Sequence, residues 1–221
     1  MLNDIFYFLR ELRENNNREW FNANKERFVT LKESFEPFVG ELIEKIAMFD
    51  TEVKGLSVKD CVYRIYRDTR FSPDKTPYKT HFAAYICAPN GRNSKRSGYY
   101  VHLEPGGSLF GGGLYCPEPA LLKRVRQDIY DNVDEFKAIL NEPEFKKEYT
   151  GLDGADKLKK VPVPFPSDFP DGDLLKYKHY DVVCRKPDSF FEGKDVEERI
   201  VAVLRKLYRF NHFLNYTVDE M

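Results

Sequence analysis

The segment RDTRFSPDKTPYKTHF, residues 67–82, places anion-binding and proton-transferring side chains close together in the chain. Arginine offers a planar fork that matches phosphate, and lysine offers a compact positive charge. Asp68 and His81 are the side chains that we assign as general acid or base, if the protein is an enzyme. This stretch, called the charged segment below, therefore predicts a site for an anionic ligand, in particular one that bears phosphate.

The charged segment is also stiffened and anchored, as a binding loop requires. Pro73 and Pro77 reduce its conformational freedom, and Tyr78 supplies an aromatic anchor. Between residues 64 and 81, basic residues exceed acidic residues by three. The predicted ligand-binding side chains of the segment are Arg67, Arg70, Asp74, Lys75, Tyr78 and Lys79.

A structural role is an equally open interpretation of these charges. Asp68, Asp74 and Glu104 are acidic residues that can pair with the arginines inside the protein, and such ion-pair networks are common. The charged segment is then a structural brace, and the functional surface lies elsewhere.

A run of glycines provides a possible floor for the predicted site. Gly111, Gly112 and Gly113 are consecutive within a strand-like stretch, where each glycine costs roughly 1 kcal/mol relative to alanine. That cost is tolerated where a ligand or another backbone approaches closely. A β-bulge, or a helix packed tightly on the sheet, is the alternative explanation.

A second basic stretch supports a different class of function. Arg92, Lys95 and Arg96 form a basic loop, residues 92–96, without a nearby acidic residue, and abundant tyrosines are available to stack on bases. These features define the alternative of a nucleic-acid or protein binding module. The net charge of -1 and the lack of a nucleic-acid-binding motif count against it.

Metal and cofactor motifs are missing from the sequence, so no metal ligand and no cofactor is assigned. The residues that would form a metal or acid–base site if they converged are His81, His102, Asp68, Asp74 and Glu104. The four cysteines contain no C-x-x-C pair, and we expect free, mostly buried thiols.

The elements that must position these residues follow from hydrophobic periodicity. Helices are predicted at residues 3–14, from Asn16 to about 49 with an interruption at Pro37, from Pro117 or Pro119 onwards, at 133–141, and from Asp195 to the C-terminal region. Strands are predicted at residues 61–68, 82–88, 98–105, 108–115 and 178–186. Residues 161–173 contain four prolines in ten residues and are expected to run as an extended surface segment.

The expected fold is α+β: a single domain, residues 1–221, with an antiparallel sheet of four to five strands packed with N- and C-terminal helices. In the strand around YYVHLE, alternation predicts that Tyr99, Val101 and Leu103 face the core, and that Tyr100, His102 and Glu104 form a polar row on the other face. No apolar run is long enough for a membrane span, and no signal peptide begins the sequence. We therefore expect a cytoplasmic protein with no membrane partner.

Three stretches of the sequence resemble the signatures of an uncharacterised family of conserved hypothetical proteins, domain of unknown function 2461. They are NNNREWF (15–21), RIYRDTRFSPDKTPYKTHF (64–82) and GYYVHLEPGGSLFGGGLYCPEP (98–119). The resemblance extends in order over most of the chain. It implies a single domain and makes the charged segment part of the family signature, but it implies no substrate and no catalytic residue.

Overall fold

A computed structural model describes residues 1–152 and 154–221 of the chain. The α-helices in these residues are α1 (Leu2–Glu14), α2 (Arg18–Ala23), α3 (Lys25–Ala47), α4 (Val58–Cys61), α5 (Pro119–Asp131), α6 (Val133–Asn141), α7 (Pro143–Glu148), α8 (Val196–Arg205) and α9 (Tyr208–Asp219). The strands are β1 (Phe82–Ile86), β2 (Gly98–Leu103), β3 (Leu109–Leu114) and β4 (Tyr180–Arg185). Short 3-10 helices lie at Thr51–Val53, Gly91–Asn93, Gly172–Lys176 and Asp188–Phe191.

The N-terminal helices follow the predicted apolar stripes with three differences: the capping residue, a division at Asn24 and the lack of an interruption at Pro37. The Asn17 side chain, rather than that of Asn16, caps a short helix by accepting a hydrogen bond from the Trp20 N–H. The chain then turns at Asn24 and begins α3, which continues through Pro37 without a break. Packing of the apolar face of α3 against the core compensates for the hydrogen bond that proline removes.

The described strands form one antiparallel sheet in the order β1-β2-β3-β4. The turn at Pro105–Gly107 joins β2 to β3, as predicted, and the Gly107 N–H donates to the Glu104 carbonyl at 2.9 Å. Phe82 pairs with Leu103 and Ala83 with His102 at the other side of β2. This register decides which side chains of the first two strands become neighbours.

The prediction of a strand at residues 61–68 is wrong. Its start is the short helix α4, and the rest makes only isolated bridges, from Val62 to Ala84 of β1 and from Tyr66 to Tyr78, which precedes β1. A bend at residues 80–81 interrupts the neighbouring chain between Tyr78 and β1, so a continuous ladder cannot form. The charged segment therefore enters the sheet at an irregular edge.

The second half of the chain matches the predictions in part. Helices α5 and α6 and strand β4 lie where expected, whereas α7 was not predicted. Residues 161–171 form turns rather than an extended run. The C-terminal helix begins after Asp195 but is divided into α8 and α9.

One face of the sheet packs on the helices and carries the hydrophobic core. Phe82, Val101, Phe110 and Val182 are buried on this face, each no more than 6% exposed. The molecule is thus a single α+β domain with N- and C-terminal helices on an antiparallel sheet. Within the described residues, no helix has the length and apolar character that crossing a membrane requires.

Candidate functional site

The face of the sheet that points away from the helices, called the outer face below, carries the polar row predicted for β2. Tyr99, Val101 and Leu103 are buried in the core, while Tyr100 and His102 keep contact with solvent. The alternation of a β-strand separates these two sets, since successive side chains point to opposite faces. The outer face therefore holds titratable side chains on a rigid support.

His81, His102 and Glu104 converge at one end of the outer face and are called the His–Glu cluster below. One ligand atom from each residue lies within 4.8 Å of the other two. The rings of His81 and His102 have centroids 4.1 Å apart, and His102 Nε2 lies 3.1 Å from Glu104 Oε2. His81 belongs to the predicted site, and the register of β1 with β2 brings it to the polar row.

Neighbouring side chains hold the cluster in place. The Tyr100 hydroxyl lies 2.9 Å from His102 Nδ1, and the Thr80 hydroxyl donates to Glu104 Oε1 at 2.7 Å. Arg13 of α1 donates to the same Glu104 oxygen at 3.3 Å and to the Pro105 carbonyl at 2.9 Å. These bonds leave Glu104 Oε2 and His102 Nε2 directed at each other.

The surroundings set the protonation states of the cluster. Burial lowers the pKa of His81 to about 4, with smaller contributions in the same direction from the neighbouring His102 and Lys79. Burial also lowers the pKa of His102, although its hydrogen bond with Glu104 opposes this. For Glu104, burial raises the pKa, but hydrogen bonds from Thr80 and His102 outweigh it and the net pKa is lowered. At neutral pH the cluster therefore consists of two neutral imidazoles and one carboxylate.

Three basic side chains around the cluster, Arg64, Lys79 and Arg185, have no acidic partner among residues 1–152 and 154–221. Lys79 lies over the Tyr63 ring at 5.0 Å, and burial followed by the Arg64 charge lowers its pKa. Arg185 projects from β4 opposite Leu109, which is itself opposite His102. The rim of the cluster thus carries three cations that form no close ion pair within the described residues, although the charge of Asp68 acts on Arg64 at longer range.

A cleft adjoins the cluster on the side of the irregular edge. Its volume is about 90 Å³, and it is lined by Phe28, Lys32, Val62, Tyr63, Arg64, Ile65, Tyr66, His81 and Phe82. His81 thus borders both the cleft and the cluster. Most of the remaining wall is apolar or aromatic.

The other charges of the charged segment lie away from this cluster and pair within their own loop. Arg67 pairs with Asp74 and also donates to the Thr76 hydroxyl. Arg70 forms a bidentate ion pair with Asp68, in which Nε donates at 2.9 Å and Nη2 donates at 2.6 Å. Both acids acquire a pKa of about 2: hydrogen bonds from Arg70 lower that of Asp68, and the Thr76 N–H followed by Arg67 lowers that of Asp74.

Lys75 and Tyr78 also occupy local positions. The Lys75 ammonium group donates to the Thr69 carbonyl at 2.9 Å. Tyr78 is buried and stacks on Phe21 of α2 with ring centroids 3.9 Å apart, so it fastens the segment to the N-terminal helices. The ligand-binding roles of Arg67, Arg70, Asp74, Lys75 and Tyr78, and the acid–base role of Asp68, stay predictions.

The glycine run lies against protein atoms. A side chain at Gly112 would meet Asn211 Oδ1 and Leu207 Cδ1 at 2.9 Å, so this glycine lets α9 and the residue before it approach the sheet. Gly113 has a φ of +107° and faces the Tyr180 carbonyl. Gly111 is opposite Tyr100 and close to the β4 backbone, with the Val182 carbonyl 2.9 Å from an added Cβ. The predicted role of these glycines as a ligand floor remains a prediction.

The basic loop is also engaged with the protein. Arg92 donates to the Lys59 carbonyl at 2.5 Å, and Lys95 pairs with Glu118 at 2.9 Å. Arg96, whose side chain is 13% exposed, pairs with Glu52 and Asp219. Each of its cations therefore has a protein acceptor.

The fold and the cluster define an α+β protein whose sheet presents a polar, partly cationic outer face. The chain belongs to the family of conserved hypothetical proteins DUF2461, which it matches over residues 4–213. Comparisons with curated proteins and with solved structures found no match.

Sequence reasoning placed His102 and Glu104 on one face of a strand, and named them for a metal or acid–base site only on the condition that they converged with His81, Asp68 and Asp74. Arg64 and Arg185 were outside the predicted site residues. Strand alternation was the signal for the polar row. The position of His81 opposite the end of that row depends on the pairing of β1 with β2. The loop of residues 87–97 separates the two strands, and its conformation does not follow from the sequence pattern. The pairing register of β1 with β2 therefore could not be predicted from local sequence.

Proposed function

We propose that the protein binds an anionic small molecule, in particular one bearing phosphate, at the rim of the His–Glu cluster. The observation that carries this proposal is Lys79, a partly buried ammonium group that has no acidic partner among the described residues. A buried cation near a second cation is unfavourable until an anion approaches, because the anion supplies the missing opposite charge. Arg64 and Arg185 extend the same unpaired charge.

The proposed location is the end of the charged segment at Lys79, and not its tip, residues 67–76, where both arginines are already paired. Arg67 and Arg70 each already hold a carboxylate, so an incoming phosphate must compete with Asp74 or Asp68. Lys79 holds none in the described part of the chain. If the protein is an enzyme, the neutral His81 beside Lys79 is in the form that accepts a proton.

Calorimetric titration of the purified chain with inorganic phosphate and with AMP, in buffer containing EDTA, tests the proposal. The expected result is saturable binding that Lys79→Met weakens at least about tenfold, with Lys75→Met as the matched control that retains it. Loss in Lys75→Met but not in Lys79→Met would place the ligand at the tip of the charged segment. No binding of either probe would contradict the proposal.

A thermal-shift screen of phosphorylated metabolites identifies the ligand more broadly. A compound present at about 100 times its dissociation constant adds roughly 2.7 kcal/mol to the free energy of unfolding.

The nucleic-acid alternative predicts salt-dependent retention on immobilised nucleic acid that is lost when Arg92, Lys95 and Arg96 are neutralised together.

We also propose that the protein acts in the cytoplasm. All four cysteines, which lie in the described residues, are unpaired thiols, and Cys61, Cys87 and Cys184 are buried. Free thiols fit a reducing compartment. Cell fractionation with a specific antibody measures this directly.

A further inference from the structure

We propose that His81, His102 and Glu104 form a binding site for a divalent transition-metal ion, of which zinc and iron(II) fit the ligand set best. Two imidazole nitrogens and one carboxylate oxygen are the ligands found in many catalytic zinc sites and in non-haem iron sites. Both kinds of site use three protein ligands and leave coordination positions open for water or substrate.

The distances support a single shared ion. Bonds from zinc to histidine nitrogen or carboxylate oxygen are about 2.0–2.2 Å, so two ligands of one ion lie no more than about 4 Å apart. The ligand atoms of the cluster all lie within 4.8 Å of one another. Binding of one ion would therefore require the most widely separated ligand atoms to move closer by less than about 1 Å.

The hydrogen bonds around the cluster direct the correct atoms inward. Thr80 occupies Oε1 of Glu104, and Tyr100 occupies Nδ1 of His102. Oε2 and Nε2, which contact each other at 3.1 Å, are therefore the atoms between which an ion would bind in place of that contact. The tyrosine hydroxyl can donate or accept a hydrogen bond, and it therefore supports the His102 tautomer that binds metal through Nε2. Such outer partners are a regular feature of protein metal sites.

His81 is the member of the cluster that takes no part in the His102–Glu104 contact. The His102–Glu104 contact satisfies those two residues, but the His81 ring has no hydrogen-bond partner among residues 1–152 and 154–221. Its ring nitrogens are not among the fully buried polar atoms that lack a hydrogen bond, so they reach solvent and can accept a metal ion. An ion between the two rings and the carboxylate supplies His81 with a partner.

The cleft beside the cluster is lined by one of the three proposed ligands, His81. The metal site does not depend on the anion-binding proposal, because its three ligands are distinct from Arg64, Lys79 and Arg185. An anionic ligand held by Lys79 would nevertheless lie near the ion.

Metal titration of the full chain, stripped with EDTA, desalted and kept free of phosphate, tests the site. Zinc chloride is titrated against a chromophoric chelator, and cobalt(II) is added separately to record its visible absorption spectrum. We expect one ion per chain. We also expect His81→Ala or Glu104→Gln to reduce zinc affinity at least about 100-fold, and Tyr100→Phe to reduce it about tenfold.

The matched control is His212→Ala, which removes an exposed histidine of α9 and should retain affinity and the cobalt spectrum. His102→Ala is informative only if circular dichroism shows that it folds, and otherwise His81→Ala and Glu104→Gln decide. Absence of one-to-one binding by the wild-type chain would overturn the site. Unchanged binding in the His81 and Glu104 variants would overturn it as well.

Lys79→Met separates this proposal from the anion site. The variant should bind zinc normally while losing phosphate binding measured in EDTA, so each proposal fails on its own measurement. Loss of zinc binding in Lys79→Met, with the fold intact, would contradict the ligand assignment.

Discussion

The imidazole ring of His81 lies against that of His102, with ring centroids 4.1 Å apart and ring planes inclined by 31°. The contact exists because Phe82 pairs with Leu103, which places His81 beside the end of β2. His102 and Glu104 share the outer face at that end, so all three side chains meet. Strand register, rather than a local motif, builds the His–Glu cluster.

The Arg70–Asp68 pair is expected to add little to stability. Their side chains are 77% and 44% exposed, and exposed ion pairs contribute little because water already solvates both charges. We expect Arg70→Met to leave the melting temperature unchanged in differential scanning calorimetry. A large decrease would show that the pair braces the fold, whereas an unchanged melting temperature with lost phosphate binding would place Arg70 in the ligand site.

Replacement of Tyr78 by alanine should strongly destabilise the protein. Tyr78 is 5% exposed and stacks on Phe21, so truncation leaves a cavity at the junction of the charged segment and the N-terminal helices. The expected loss is about 3–5 kcal/mol in the free energy of unfolding, measured by urea denaturation. Tyr66→Ala, at a ring that is 45% exposed, is the control and should cost clearly less. Equal losses would mean that the stacking of Tyr78 is unimportant.

Gly112→Ala tests whether the glycine run is needed for helix packing. The new methyl group would lie 2.9 Å from the Gly98 carbonyl and from Leu207 Cδ1, and we expect a loss of about 1–3 kcal/mol by urea unfolding. Gly40→Ala in α3 is the matched control. Its added Cβ meets only Val58 Cγ2, at 3.5 Å, so it should be neutral or stabilise the helix by up to about 1 kcal/mol. Normal stability of Gly112→Ala with impaired phosphate binding would favour a ligand floor instead.

Glu148 should make stability depend on pH in the acidic range. Burial raises its pKa, but hydrogen bonds from Lys186 and Lys206 outweigh burial and lower the pKa to about 2, from an ordinary value of 4.5. Because the folded-state pKa is lowered, the stabilisation is complete above about pH 5 and is lost as the pH falls towards 2.

Glu148→Gln measures this contribution. We expect it to cost on the order of 2 kcal/mol at pH 7, between the values for exposed and buried pairs, since it leaves two lysines without their carboxylate. The difference from wild type in urea unfolding should shrink as the pH is lowered from 6 to 3. Glu118→Gln, in an exposed pair with Lys95, is the control and should show little change. A constant difference for Glu148→Gln across this range would contradict the assignment.

The amino-acid sequence by itself determined the elements whose pattern is local. Apolar residues at helical spacing predicted α1 and α6. Alternation in β2 placed Tyr99 on the buried face of the sheet and His102 on the opposite face. These patterns depend only on the geometry of a helix or strand and on which side chains avoid water. They were enough to define an α+β domain with a polar row on its sheet.

Tertiary structure alone decided which residues of distant segments meet. Residues 61–68 have the composition of a strand, yet the bend at residues 80–81 limits them to isolated bridges. Gly112 fits a ligand floor as well as a helix contact in sequence, and only the folded chain brings Asn211 of α9 close to it. The folded loop also decides which charges of the charged segment are paired. Arg67 and Arg70 each form an ion pair, whereas Lys79 forms none within the described residues. Pairing register and loop conformation arise from many weak contacts across the whole chain, and for this reason no single stretch of sequence specifies them.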